Sequence, residues 1–234
     1  MEVMAEDFLN EIVDRNMVQV VRTSASKRVK QCRMHDVLRD LSIFKAKVEI
    51  FIEIHGNIDF QPSIKSRHHV IHSNIDRNFA SKPSIPRLHS LLFYDLKHWM
   101  QCHLDFICEN FKLLRVLDLE YMQIYNLQRE IGKLIHLRYL GLKNTRTSKL
   151  PTSMRYLKSL QTLDISNVLL AEIPDIICKM RDLRHLYMNT SEFTGKLRID
   201  TLKNLQTLTL FHINNLELKN IGKLLHLRKL GVEM

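Results

Sequence analysis

The sequence predicts an α/β fold, in which a solenoid of short repeats follows a partial winged-helix segment of mixed helices and strands. The main observation is an L-x-x-L-x-L motif that occurs six times, at spacings of 23, 23, 23, 22 and 22 residues, with Ile, Met or Val at the last position in three copies. A constant period of this length carrying this motif is the signature of a leucine-rich-repeat solenoid. The six motifs begin at Leu114, Leu137, Leu160, Leu183, Leu205 and Leu227.

The second observation is the pattern within each repeat. Positions one, four and six of the motif are apolar and point inward, whereas positions three, five and seven face the concave side. The return half steps by four and then three residues, as at Leu127, Ile131 and Leu134, which predicts helical or 3₁₀ turns on the convex side. A single repeat cannot bury its apolar face, so the repeats must stack.

The repeat region is predicted over residues 87–234, beginning with an irregular first repeat at Leu88. Two departures predict an irregular array. A loop over Thr190–Gly195 should bulge, and the ninth position lacks the asparagine that would satisfy the loop backbone. The array stops at Met234 without a polar cap, which we interpret as an incomplete solenoid. The ninth-position residues are Met122, Thr145, Val168, Ser191 and Ile213.

The third observation concerns residues 1–48, which read as helix, hairpin and helix. Apolar spacing predicts a helix over 5–16, strands at Val18–Val21 and Val29–Met34, and a helix that begins at Asp36. This order is the end of a winged-helix module. Residues 49–86 are predicted as a connecting segment with irregular strands at 48–54 and 67–72 and a turn at 81–86, and a further helix is predicted over 98–111.

Charge and composition exclude several classes of protein. The net charge is +10, but residues 1–60 carry net −1 and residues 61–234 carry net +11, so the repeats should favour an acidic partner. The sequence contains no run of 18 apolar residues, so no transmembrane helix is expected. Its first residues lack the apolar segment of a secretory signal. The four scattered cysteines indicate reduced thiols of an intracellular protein.

Three segments before the repeats carry a family resemblance: Ala5-Glu-Asp-Phe-Leu-Asn-Glu, Asp14-Arg-Asn-Met-Val-Gln and Arg33-Met-His-Asp-Val-Leu-Arg-Asp-Leu41. They resemble plant intracellular nucleotide-binding leucine-rich-repeat immune receptors of the coiled-coil class. The resemblance implies a receptor fragment with the end of the switch domain and part of an interaction and autoinhibition array. It implies a cytoplasmic protein, with peripheral binding at the plasma membrane left open. Its expected partners are the receptor's own nucleotide-binding and switch domains, a pathogen effector or a guarded host protein.

The same resemblance assigns roles to His35 and Asp36. In the family the motif histidine contacts bound ADP and the aspartate steadies it, so ADP or ATP is the cofactor expected of the full-length family. The residues alone allow a simpler interpretation, in which His35 ends a strand and Asp36 caps a helix. No Gly-Lys pair is preceded by the glycine of a phosphate-binding loop, so this fragment should need no cofactor and should not be an enzyme.

Several other functions compete with the receptor module. A freestanding repeat scaffold or adaptor is the main alternative, and a nucleotide hydrolase would require further upstream sequence. Direct nucleic-acid binding is disfavoured because residues 1–60, which include the winged-helix portion, carry net −1. A metal site is not expected, because the one close group of candidate ligands lacks the paired cysteine spacing of zinc sites. That group is His98, Cys102, His103 and Cys108.

The most specific prediction concerns the second position of each repeat, which we call the arginine column. Adjacent rungs of a sheet lie about 5 Å apart, so these residues should line one lip of the concave face. Lys143 and Lys229 are expected nearby, and Asp118 and Asp164 could offset part of the charge. The alternatives are a docking strip for an acidic protein surface and a solvated edge that only aids solubility. The column comprises Arg115, Arg138, Gln161, Arg184, Gln206 and Arg228.

Overall fold

The computed structural model places the chain in two compact units, Met1–Phe51 and Ile52–Met234. None of the helices in the described part of the chain is long and apolar enough to cross a bilayer. The structure describes residues 2–23, 29–49, 51–56, 65–72, 87–94, 102–168, 170, 175–188, 198–210 and 218–232.

The first unit contains the predicted helix, hairpin and helix. Its elements are α1 (Glu2–Asp14), β1 (Val18–Thr23), β2 (Val29–Met34) and α2 (Asp36–Val48). The two strands pair antiparallel, with Val18 opposite Met34. Helix α2 continues through Val48, so the prediction that a strand begins there was wrong. An exposed ion pair of 3.8 Å between Lys45 and Glu49 spans the last helical turn and favours the helix. The alternation of apolar residues after Val48 does not show this pair.

Burial in the first unit is sparse. Val18, with 8% of its surface exposed, is the one buried hydrophobic residue among its described side chains. Helix α2 exposes a stripe spaced at i, i+4, i+7 and i+11, which is a single helix face. These residues are Val37, Leu41, Phe44 and Val48, with 79%, 55%, 64% and 63% of their surface exposed. The predicted apolar face therefore exists in the helix, but no described part of the chain covers it.

The second unit is a solenoid built on one parallel sheet. Nine strands pair in chain order, with no crossover among the described strands. Short 3₁₀ helices occupy the return halves at Arg129–Lys133, Thr152–Tyr156, Ile177–Lys179 and Leu218–Lys223, and α3 spans Cys102–Asn110. The strands are β3 (Ile52–Gly56), β4 (His68–His72), β5 (Ser90–Tyr94), β6 (Val116–Asp118), β7 (Tyr139–Gly141), β8 (Thr162–Asp164), β9 (His185–Met188), β10 (Thr207–Leu210) and β11 (Lys229–Val232).

The sheet begins two strands earlier than the repeat motif indicates. Strand β3 pairs in parallel with β4, and β4 pairs in parallel with β5, which belongs to the predicted first repeat. Residues 49–86 therefore contribute rungs to the solenoid and do more than connect two regions. The motif missed these rungs because their inward positions carry Glu53 and His69 in register with Leu91, so the leucine pattern is broken there.

The core follows the inward positions of the repeats. Leu117, Leu140, Leu163, Leu186 and Leu208 are register partners on consecutive strands, and each is fully buried. On the convex side Ile131, Met154 and Ile177 are likewise buried, which confirms the predicted helical or 3₁₀ spacing. Since the core is continuous across rungs, removing one such side chain, as in Leu140→Ala, should cost about 2–5 kcal/mol of unfolding free energy.

The turns after the strands use position eight of the repeat in a left-handed conformation. Tyr121, Asn144 and Asn167 have φ angles of 62°, 56° and 55°. Asn167 Nδ2 donates a hydrogen bond of 3.0 Å to Asn144 Oδ1, which links two adjacent turns. The sequence predicted no side-chain ladder at position nine, but Thr145 Oγ1 there donates a hydrogen bond of 2.7 Å to the Leu142 carbonyl. The hydroxyl therefore satisfies part of the loop backbone.

The predicted bulge at Thr190–Gly195, the predicted turn at 81–86, and the ninth-position residues Ser191 and Ile213 lie outside the described residues. The helix predicted over 98–111 is described as α3, from Cys102 to Asn110.

Candidate functional site

The arginine column is held together by the backbone of the solenoid. Each residue of the column donates its N–H to the carbonyl of the column residue on the preceding rung. The sequence placed these residues on adjacent rungs, and this stacking is confirmed. The N···O distances are 2.7 Å from Arg138 to Arg115, 2.8 Å from Gln161 to Arg138, 2.8 Å from Arg184 to Gln161, 2.7 Å from Gln206 to Arg184 and 2.9 Å from Arg228 to Gln206.

The same ladder extends further toward the amino terminus than the motif indicated. Arg115 N donates to the His89 carbonyl at 2.7 Å, and His89 N donates to the Arg67 carbonyl at 2.8 Å. Arg67 and His89 are therefore two more members of the arginine column. The available signal was their separation of 22 residues, which equals the period of the later repeats.

The carbonyls of the column are doubly engaged, which fixes its geometry. The Arg115 carbonyl accepts the N–H groups of both Arg138 and Tyr139, at 2.7 and 3.0 Å. The Arg138 carbonyl likewise accepts the N–H groups of Gln161 and Thr162, at 2.8 and 2.9 Å. The backbone beneath the arginines is thus pre-organised, and a partner would order only the side chains.

The arginine side chains of the column are exposed to solvent. Five column residues are exposed arginines, and none of the five forms an ion pair with another described residue. Burial lowers the pKa of His89, and the charges of Arg115 and Arg67 lower it further. The field of neighbouring arginines therefore reaches across the column. The five are Arg67, Arg115, Arg138, Arg184 and Arg228.

The two lysines expected near the column differ in position. Lys229 directly follows Arg228, is exposed, and donates its N–H to the Gln206 carbonyl at 3.0 Å. Lys143 lies at position seven of its repeat, five residues beyond Arg138 and past the end of β7. Burial raises the pKa of Asp118 and Glu120, and the charge of Lys143 partly opposes that shift. Lys143 therefore acts on an acidic group of the concave face, and its place near the column stays a prediction.

That acidic group lies along the concave face, where Asp118, Gly141 and Asp164 are register partners on consecutive strands. Asp118 Oδ1 accepts the Glu120 N–H at 3.2 Å, and Asp164 Oδ1 accepts the Ser166 N–H at 2.9 Å. Burial raises the pKa of Asp118, and the Asp164 carboxylate raises it further. The aspartates fix the turns after β6 and β8, and their carboxylates are bonded to backbone and not to the arginine column.

Tyr139 adds an aromatic surface to this acidic group. Burial raises the pKa of its phenol, and so do the charges of Asp118 and Glu120. Gly141 makes room for the group, because a Cβ on Gly141 would lie 3.0 Å from the Tyr139 hydroxyl and closer still to Asp118 Oδ1. The concave side thus carries a basic column before the strands and an acidic, aromatic strip along them.

The two residues assigned to nucleotide lie at a strand-to-helix junction of the first unit. His35 stands between β2 and α2, is exposed, and accepts the Arg39 N–H at its carbonyl at 2.8 Å. Asp36 is the first residue of α2, and its Oδ1 pairs with Arg39 Nη1 at 3.1 Å. His35 therefore occupies the cap position that the simpler interpretation gave to Asp36, and the aspartate stabilises the first helical turn.

The group of histidines and cysteines near α3 can be followed only in part. His98 lies outside the described residues, as do the side chains of Cys102 and His103. Cys108 is buried in the core, and burial raises the pKa of its thiol to about 12. A protonated, packed thiol is a poor metal ligand, because the thiolate is the ligating form.

Two family models match the chain. A leucine-rich repeat region matches residues 89–234, and a disease resistance protein winged helix domain matches residues 1–42. Among curated relatives, the disease resistance RPP8-like protein 3 of Arabidopsis thaliana is 33% identical over 240 residues, which cover 97% of this chain and 26% of that protein. The disease resistance protein RPP13 of Arabidopsis thaliana is 33% identical over 236 residues, which cover 99% of this chain and 27% of that protein.

The chain thus spans about a quarter of the length of the curated relatives it matches. Solved structures show the fold. An internalin of Listeria monocytogenes aligns with a TM-score of 0.59 at 16% identity, over 77% of this chain and 52% of that one. The Arabidopsis receptor kinase HAESA, solved with a peptide hormone and a co-receptor, aligns with a TM-score of 0.57 at 18% identity, over 70% of this chain and 28% of that one.

Proposed function

We propose that this chain, which belongs to the leucine-rich-repeat disease resistance proteins of plants, is an interaction and autoinhibition module of an intracellular immune receptor. Its relatives carry disease resistance in their names, which favours an immune receptor over a freestanding adaptor. In this proposal the arginine column docks an acidic protein surface. The preferred surface belongs to the receptor's own nucleotide-binding and switch domains, and a pathogen effector or guarded host protein is the alternative occupant.

The observation that carries the proposal is the ladder beneath the arginines. Backbone hydrogen bonds of 2.7 to 2.9 Å fix consecutive rungs from Arg67 to Arg228. The side chains above them are exposed, and the described residues supply no acidic partner for the five arginines. Like charges held this close repel one another, so an acidic surface would relieve repulsion as well as form new ion pairs.

Arginine suits this role for a geometric reason. Its planar guanidinium donates two parallel hydrogen bonds to one carboxylate, which lysine cannot do. A row of such groups along the lip would bind most strongly to a partner whose acidic residues have a matching spacing. The acidic strip around Asp118 and Asp164 lies beside the column. A partner that placed acidic groups against this strip would therefore be repelled.

The test is association with the nucleotide-binding segment of the receptor, expressed separately. The double variant Arg138→Glu with Arg184→Glu should weaken association by about tenfold or more, because each reversal replaces attraction by repulsion. Association of the unaltered chain should fall with added salt, since exposed charges are screened within about 10 Å at 0.1 M. Surface plasmon resonance at low and high salt measures both effects.

A matched control is available on the convex side. Lys158 and Arg181 are exposed and line one pocket with Arg155 and Lys179 of the 3₁₀ helices, so Lys158→Glu with Arg181→Glu changes the net charge by the same amount outside the column. This control should bind like the unaltered chain, and circular dichroism should show that both variants are folded. Equal weakening by the control, or salt-insensitive binding by the folded column variant, would contradict docking through the arginine column.

For an intact receptor we also propose that His35 contacts the phosphates of ADP and that Asp36 steadies the junction. The exposed imidazole at the start of the 13-residue helix α2 fits a phosphate group, and the Asp36–Arg39 pair holds the first turn. In a full-length receptor, His35→Ala or Asp36→Val should then cause cell death in leaf tissue without a pathogen, because the inactive state loses differential binding. A silent phenotype at normal protein level would count against this role.

The 234-residue chain by itself should bind ADP and Mg-ATP no more tightly than about 100 μM, since one histidine contact supplies too little free energy. Isothermal titration calorimetry checks this expectation. Tight binding by the chain alone would show a nucleotide site that the motif analysis does not contain.

A further inference from the structure

The first rungs of the solenoid replace core leucines by groups that can bind metal ions. Glu53 is the register partner of His69, which is the partner of Leu91, which in turn pairs with Leu117. From Leu91 onward these register positions are occupied by fully buried leucines. His69 has no exposed surface, although it is a polar residue, and Glu53 and His55 expose only 17% and 11% of their side chains.

The three side chains converge on one small volume. His55 Nε2 lies 3.0 Å from His69 Nδ1 and 3.5 Å from Glu53 Oε2, and His69 Nε2 lies 4.0 Å from Glu53 Oε2. One ligand atom from each residue can be chosen so that all lie within 4.8 Å of one another. Ligands at about 2.0–2.1 Å from a tetrahedral zinc ion lie about 3.4 Å apart, which falls inside the observed spread.

The types of ligand agree with that geometry. His69 is fully buried, and imidazole nitrogen is a common zinc ligand. Two imidazoles and one carboxylate form a set that zinc uses in proteins, with a fourth position left for water.

A hydrogen-bonded polar end of the solenoid is the simpler explanation, because repeat arrays require polar caps. A cap, however, needs only polar groups that face solvent. These three side chains are largely enclosed and lie at inward positions, whereas His68 on the opposite face of β4 bonds to Ser90 Oγ at 3.0 Å as an ordinary surface pair would. Among the described residues, this is the one place where three possible ligands meet.

We propose that Glu53, His55 and His69 bind one zinc-type divalent metal ion at the first rungs of the solenoid. The ion would join β3 to β4 and take the place that buried leucine occupies in later rungs. It would hold together rungs whose inward positions carry polar groups. This inference is independent of the arginine column, which lies at the second position of the repeats.

The test begins with the full 234-residue chain, freed of metal by a chelator. Zinc is titrated against a chromophoric chelator, with Mg²⁺ and Ca²⁺ as probes of selectivity. One Zn²⁺ should bind per chain, and zinc at one hundred times its Kd should raise the Tm by about 5 °C. Mg²⁺ and Ca²⁺, which prefer oxygen ligands, should leave the Tm unchanged. Absence of zinc binding by the folded chain overturns the proposal.

Substitutions locate the ion. His55→Gln and Glu53→Gln each remove one ligand and should weaken zinc binding by at least about tenfold. His68→Gln and His72→Gln are the matched controls, since each removes a histidine at an outward position of the same strand, and they should bind like the unaltered chain. Undiminished binding by folded His55→Gln, or equal losses in the controls, would place the ion elsewhere.

A spectroscopic measurement keeps the proposal testable if a variant fails to fold. Zinc-edge X-ray absorption of the unaltered chain should show imidazole nitrogen and carboxylate oxygen in the first coordination sphere. Sulfur scattering there would assign the ion to a cysteine site and overturn the proposal.

Discussion

The tetrapeptide Ile-Gly-Lys-Leu occurs twice, at 131–134 and at 221–224, and in both places it is part of a 3₁₀ segment and the residue that follows it. In the earlier copy Ile131, Gly132 and Leu134 are buried. In the later copy Ile221 is half-buried and Gly222 is exposed. The sequence and the local conformation are the same, but the surroundings differ.

The difference arises from the adjacent rung. A Cβ on Gly132 would lie 2.6 Å from the backbone oxygen of Ser153, in the next repeat, whereas a Cβ on Gly222 would meet no atom within 4 Å. Lys133 Nζ also reaches Glu109 Oε1 at 3.5 Å, on the helix of the preceding rung. A repeat residue therefore gains its stabilising role from its neighbours, as a one-dimensional stack requires.

The isoleucines test this comparison with the largest effect. Ile131→Ala should lower the free energy of unfolding by about 2–5 kcal/mol, because it leaves a cavity in a closed core. Ile221→Ala should cost about 1 kcal/mol, since a half-buried side chain loses about half of its transfer free energy. Urea unfolding followed by circular dichroism measures both. Equal costs would mean that the two rungs are equally enclosed.

The amino-terminal rungs extend the comparison to a buried polar residue. Burial lowers the pKa of His69 to about 4 from an ordinary value of 6.5, so between these values the unfolded chain binds more protons than the folded one. The contribution of neutral His69 to the free energy of unfolding is therefore fully present above pH 6.5 and is lost as the pH falls toward 4. A shift of this size corresponds to about 3 kcal/mol. Glu53, His55, His68 and Arg67 are the ionisable groups nearest to His69 in the chain or in contact with it.

The measurement is urea unfolding between pH 7 and pH 4 in the presence of a chelator. His69→Leu, which continues the leucine column, should remove most of this acid sensitivity. His72→Gln, at an exposed position on the same strand, should keep it. If His69→Leu unfolds in acid like the unaltered chain, the acid sensitivity resides in other groups.

The paired glycines should show a smaller effect. Gly132→Ala should cost about 1–3 kcal/mol, because the new methyl group overlaps a backbone oxygen that cannot move without shifting the next rung. Gly222→Ala should be neutral or stabilise by about 0.5 kcal/mol, since alanine loses less backbone entropy on folding. Thermal unfolding of both variants decides, and a destabilised Gly222→Ala would indicate a neighbour that packs against it.

The left-handed turns should show the smallest effect. Asn144→Ala should cost about 1 kcal/mol, because alanine tolerates a positive φ poorly. Asn144→Gly should cost less, although both changes remove the hydrogen bond from Asn167. Chemical unfolding of the pair separates backbone strain from the side-chain bond. Equal costs would assign the whole effect to that bond.

The sequence alone determined the elements whose signals are local. The 22- and 23-residue period identified the inward leucines such as Leu117 and Leu140. Alternation identified the hairpin β1–β2, and the polar Asp36 identified the start of α2. The arginine column followed from the same period, because residues at equal repeat positions stack on adjacent rungs. Each of these signals depends on residues a few positions apart or one period apart.

Only the tertiary structure decided the remaining features, because they depend on what a neighbouring rung supplies. Strands β3 and β4 joined the sheet through register with Leu91, although their inward positions carry Glu53 and His69. The placement of Lys143 among acidic side chains and the left-handed turn at Tyr121 likewise depend on packing. A pattern within one repeat cannot specify these contacts, because each contact joins atoms of two rungs. The residues that make it also differ from those of the repeat motif.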